Sequence, residues 1–121
     1  MDELIARLAS KAGVDSAVAE TTIGAVLGFL RQEGPFDNVQ TLIDTIPGAE
    51  AAIEASDRSR GLHGLMGNGL MALGSRLMNL GLGIYEIQNI TGEFLKFCRD
   101  KIGADRMGAI FAGTPGLRHF A

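Results

Sequence analysis

A chain of 121 residues, 46% hydrophobic and 21% charged, is sized and composed for one globular domain, which excludes a disordered segment and needs no disulfide or metal to build a core. Cys98 is the one cysteine, so an intramolecular disulfide is excluded, and no apolar run of about eighteen residues is free of polar breaks, so no membrane-spanning helix is expected. The net charge of -3 is uneven: residues 1–56 hold nine acids and three bases, residues 57–121 five acids and eight bases, a pattern suited to two halves that attract or to a partner of opposite sign.

The opening, MDELIARLASK, has neither the basic start nor the apolar run of a secretion signal, and with the lone cysteine it predicts a cytoplasmic protein. Leu4, Ile5, Leu8 and Ala12 share one face of a first helix over Asp2–Ala12, which Gly13 stops. Asp15 is placed to cap a second helix, Ser16–Glu33. Its apolar residues cover most of its circumference and leave only Glu20, Gly24, Gly28 and Arg31 as a bare strip, so it is expected at the centre. Gly34-Pro35 ends it. Asp37 then caps a short helix with Val39, Leu42, Ile43 and Ile46 inward, and after the Pro47-Gly48 turn a fourth helix covers Ala49–Ala55.

Ser56–Gly61 reads as a polar linker. Beyond it lies a Gly/Leu/Met-rich centre, residues 61–83, holding seven glycines and three of the five methionines. From Gly69 onward Leu70, Leu73, Leu77, Leu80 and Ile84 recur at spacings of three and four, an amphipathic helix on which Gly67, Gly74 and Gly81 stand seven apart. Met66, Met71 and Met78 are either adaptable core filling or an adaptable binding surface. A sixth helix over Tyr85–Ile102 turns Ile84, Ile87, Ile90, Phe94, Phe97 and Cys98 inward and carries Glu86, Asn89, Glu93, Lys96 and Asp100 as a polar stripe. Gly103 stops it, and Asp105 caps a seventh helix with Met107, Ile110 and Phe111 inward.

Shifting the chain by 68 residues lays Gly13 on Gly81, Gly24 on Gly92, Leu27 on Leu95, Phe29 on Phe97, Arg31 on Arg99, Asp37 on Asp105 and Pro47-Gly48 on Pro115-Gly116. These are eight identities in the 41 pairs from Gly13/Gly81 to Ile53/Ala121, where average composition gives roughly three. A one-residue slip extends the match back, placing Arg7-Leu8 on Arg76-Leu77. The period exceeds that of the common solenoids, which points to a duplicated unit. The expected fold is therefore an all-α, compact multi-helix bundle of two pseudo-symmetric units in a single domain. Unit one spans about residues 1–55, the linker and central helix 56–80, and unit two 81–121.

The entry GVDSAVAE, the stretch IDTIPGAEAAI over Ile43–Ile53 and the Gly/Leu/Met-rich centre together resemble a group of small uncharacterised bacterial proteins known only as a domain of unknown function. That resemblance implies an all-helical cytoplasmic protein and carries over no activity and no site residues.

Signatures of chemistry are missing. GLMGNG over Gly64–Gly69 is followed by Leu70-Met71 where a phosphate loop needs Lys and Ser/Thr, and no strand precedes it for a dinucleotide fold. His63 and His119 have no Cys or acid at ligand spacing. The apolar face around Cys98 makes it a core thiol, although Arg99 and Lys101 could lower its pKa, and Glu86 and Glu93 read as solvated. The bases after residue 57 are scattered over several helices, so no nucleic-acid surface is expected. Catalytic, cofactor and metal sites are accordingly expected to be absent, and so are cofactors. The expected role is a non-enzymatic interaction or scaffold protein that self-associates, with a homodimer or another protein as partner. The interface is expected at Met66, Leu70, Met71, Leu73, Gly74, Leu77 and Met78. The alternative is a small enzyme or hydrophobic-ligand binder using the Met/Leu-rich centre, marked by an enclosed apolar cavity.

Overall fold

A computed structural model describes residues 2–60 and 70–114. The described chain is all helix and turn. Seven α-helices follow in order: α1 Asp2–Ala12, α2 Ser16–Glu33, α3 Phe36–Thr45, α4 Ala49–Arg60, α5 Leu70–Asn79, α6 Ile84–Ile102 and α7 Ala104–Gly113.

The near-continuous apolar circumference of α2 makes it the centre of the bundle. Ala19, Ile23, Val26, Leu27 and Leu30 are almost wholly buried, and α1, α3, α4, α5 and α6 all pack against it. The bare strip on α2 has a specific use. A Cβ built on Gly24 lies 2.1 Å from the backbone oxygen of Ala52, and one on Gly28 lies 3.9 Å from Ile53 Cγ2. Glycine thus lets α4 seat backbone-close on α2, with Ala49, Ala52 and Ile53 facing inward. The guanidinium of Arg31 meets the Glu50 carboxylate at 3.1 Å beside this crossing.

On the other side α6 packs against α1, α2, α3 and α7, burying Ile87, Ile90, Phe94, Leu95 and Cys98. Lys11 of α1 reaches Glu93 of α6 at 3.2 Å. Both Gly13 and Gly81 take a left-handed φ, +70° and +90°, and each ends a helix. After α1 the Val14 amide bonds back to the Ala9 carbonyl at 3.0 Å, the bond that closes a Schellman-type stop.

Three sequence expectations are corrected. Ser56–Arg60 is not a linker, because α4 continues to Arg60. Ser56 is buried, and its carbonyl accepts from Arg76 Nη2 at 3.0 Å while its hydroxyl also bonds to that guanidinium. A polar run without Gly or Pro, held from α5, remains helical. Ile84 does not extend the α5 stripe or face inward: the left-handed Gly81 breaks the period, Ile84 starts α6, and it is 58% exposed. Asp37 and Asp105 are not N-caps. The cap residues are Pro35 and Gly103, and the two aspartates lie inside the first turn. Asp15 does occupy the cap position of α2, but its side chain makes no capping hydrogen bond.

The 68-residue shift also relates the helix boundaries. It carries α2 onto 84–101, where α6 lies, and α3 onto 104–113, the span of α7. It carries α1 onto 70–80, where α5 lies. The packing around the two sets is less alike. α3 touches both α2 and α6, and α4 has no counterpart among the described residues.

Candidate interaction surface

The central helix was expected to supply an interface, and the structure divides its residues. Leu73 and Leu77 are 3% and 0% exposed and belong to the core, where α5 leans on α2. The close approach of those two helices uses up the inner half of the leucine stripe. These two residues are therefore not surface residues of the folded chain, a correction to their place in the expected interface. Gly74 is half-buried, with nothing within 4 Å of an added Cβ among the described residues. Met78, one turn further, is 55% exposed. Leu70 and Met71 lie in the first turn of α5, and Met66 lies outside the described residues.

Four large hydrophobics are exposed among the described residues: Phe36, Met78, Ile84 and Tyr85. Three of them fall in the eight residues from Met78 to Tyr85, across the turn between α5 and α6. Apolar residues scattered singly over a surface need no explanation, but this concentration at one corner is a candidate contact site. Of these three, Met78 belongs to the expected interface, whereas the sequence expectation turns Ile84 inward and leaves Tyr85 without a side. The signal for the missed pair was Gly81, which ends one apolar period and starts another in a different phase.

A concavity lies on α6 and α7. It is open, about 400 Å³ in volume, floored by Leu95, Met107 and Phe111 and rimmed by Gln88, Lys96 and Arg99. It is open where the cavity expected of an apolar-ligand binder is enclosed, and Met78 is not among the described residues that line it. Asn89, Glu93 and Lys96 of its lining belong to the polar stripe read from the sequence, whereas Gln88 and Arg99 do not. Only the pairing of Gly24 with Gly92 and Arg31 with Arg99 distinguishes it.

The described residues hold little that could carry chemistry. No three of His, Cys, Asp and Glu come together as metal ligands among them. Cys98 is wholly buried, and burial pushes its thiol well above its ordinary range, outweighing a favourable backbone hydrogen bond. A thiol held protonated is a poor nucleophile. Glu93 is engaged by Lys11. His63 and His119 lie outside the described residues. No single described helix is long and apolar enough to cross a membrane; α1 and α2 pass such a test only together, across a bend of 107°.

Compared with known proteins, the chain matches no family model, no curated protein and no solved structure.

Proposed function

We propose that this chain is a non-enzymatic interaction or scaffold protein, built from two copies of one helical unit, that self-associates through the outer side of α5 and the start of α6. The observation that carries this reading is the exposure of Met78, Ile84 and Tyr85 around the α5–α6 turn, three of the four exposed large hydrophobics among the described residues. Gly74 precedes Met78 by one helical turn, so the two share a face, and no described residue lies within 4 Å of a Cβ at Gly74, which lets another backbone approach. A twofold arrangement meets itself, so one such corner suffices for both partners. The acidic first segment and basic second segment favour an antiparallel pairing of unlike halves. The duplication is supported by the eight aligned identities and by helix boundaries that coincide at the same shift. The buried, protonated Cys98 suits a cytoplasmic setting.

Sedimentation at micromolar protein concentration tests the reading. The expected result is a dimer that Met78→Glu and Gly74→Leu each drive toward monomer. A chain that stays monomeric at low salt overturns self-association. A dimer unchanged by both substitutions overturns the assignment of the surface.

A further inference from the structure

The same 68-residue shift that maps α2 onto α6 maps the seat of α4 onto the open groove of α6. Gly24, over which the Ala52 carbonyl passes, corresponds to Gly92. Arg31, which pairs with Glu50 at 3.1 Å, corresponds to Arg99. Leu27 corresponds to Leu95, and Val39 and Ile43 of α3 to Met107 and Phe111 of α7, while Gly28, which faces Ile53, corresponds to Lys96, so the α6 seat keeps one of the two glycines and carries a cation in place of the other. On α2 this seat is filled, and Gly24 is buried. On α6 nothing described lies within 4 Å of a Cβ at Gly92, and the seat is the groove of about 400 Å³.

We propose that the Gly92 groove is a second helix-docking seat, and that it takes an alanine-rich, acidic helix of a partner protein with the chemistry of α4. Two features select that occupant. The first is the internal template: α4 presents small residues at the crossing and a carboxylate to the arginine, as the glycine and arginine of the seat require. The second is charge. Lys96 and Arg99 are exposed at the rim, and Glu93, which also lines the groove, is engaged by Lys11 at 3.2 Å, so the charge of the lining is net basic. The chain's own later residues lack this complementarity. In the shifted register the sequence has Arg118 in place of Glu50, a cation for the carboxylate, and Phe120 in place of Ala52. A second copy's α4 is already committed, with Ala49, Ala52 and Ile53 buried against its own bundle. The inference does not require self-association, and a monomer can carry this seat.

The test uses the full chain and a synthetic peptide with the sequence of residues 47–60, followed by amide NMR shifts and titration calorimetry. Saturable binding is expected below ~1 mM, with shifts centred on Gly92 and Arg99. Gly92→Leu fills open space, keeps or raises the melting temperature and weakens binding at least ~10-fold, about 1.4 kcal/mol. The exposed Arg99→Glu gives an independent check: it weakens the native peptide and restores binding to a peptide carrying Glu50→Lys. Absence of saturable binding overturns the proposal. So does binding undiminished in both variants, which means exchange at the α2 seat. Shifts of residues 117–121 in Gly92→Leu, without peptide binding, make the chain's own end the occupant. Loss of a dimer in Gly92→Leu makes it a second copy. Either result also overturns the proposal.

Discussion

The 68-residue shift lays Gly24 of α2 on Gly92 of α6, and the same substitution is expected to act in opposite directions at them. Alanine at Gly24 puts a methyl 2.1 Å from the Ala52 oxygen, so α4 must lift off α2, and a loss of roughly 1–3 kcal/mol is expected. Alanine at Gly92 meets nothing described within 4 Å and only removes the entropic cost of glycine in a helix, a gain of about 0.4–1 kcal/mol. Paired thermal melts check both signs. Cys98 gives a second prediction at this scale. Its thiol is raised in the folded chain above an ordinary value near 9.0. Below that value both folded and unfolded thiols are protonated and the stability is fully present. Above it the unfolded thiol ionises and the buried one does not. Stability therefore falls as pH rises past about 9, with a slope approaching ~1.4 kcal/mol per pH unit. Urea titrations of the wild type and Cys98→Val between neutral and alkaline pH should diverge in that window and not below it.

The helices begin with little help from side-chain caps. None of α2, α3, α6 or α7 has a side-chain capping hydrogen bond, and the aspartates at 37 and 105 act from inside the first turn through the helix dipole. Replacing Asp37 or Asp105 by Asn is therefore expected to lower stability by only about 0.3–1 kcal/mol, and the difference should shrink in concentrated salt. A loss of ~2 kcal/mol that salt leaves unchanged would point to a specific hydrogen bond instead. Element length follows the same logic of local rule against distant contact. Local rules end α1 at Gly13, whereas α4, with no Gly or Pro to stop it, runs on through Ser56, whose carbonyl accepts from Arg76 twenty residues away.

At the scale of the molecule, the segment charges of -6 over residues 1–56 and +3 over 57–121 matter for association. If unlike halves meet in the dimer, its dissociation constant should rise several-fold between low and physiological salt, where the Debye length contracts to about 8 Å. Sedimentation equilibrium across a salt series measures this. An affinity flat in salt would leave the apolar corner at Met78–Tyr85 as the main source of association and remove the charge steering. The two surfaces also separate at this scale. Met78→Glu should affect self-association alone, and Gly92→Leu helix docking alone.

The sequence by itself determined the all-helical class, the start of every described helix to within a residue or two, and the central place of α2, because these follow from local periodicity and from glycines that admit a left-handed φ. It also contained the 68-residue register, since Pro-Gly turns and Phe-x-Arg ends are local features. Tertiary structure alone decided which side of each element is covered. Leu73 and Met78 belong to one amphipathic helix, yet one is buried and the other bare, because α2 covers only one side of α5. Gly24 and Gly92 read alike in sequence, yet only one has a helix above it, because α4 folds back onto α2 and the described chain sets nothing over α6 at that point. Which glycine accepts a neighbour depends on contacts made far along the chain, and no local pattern records them.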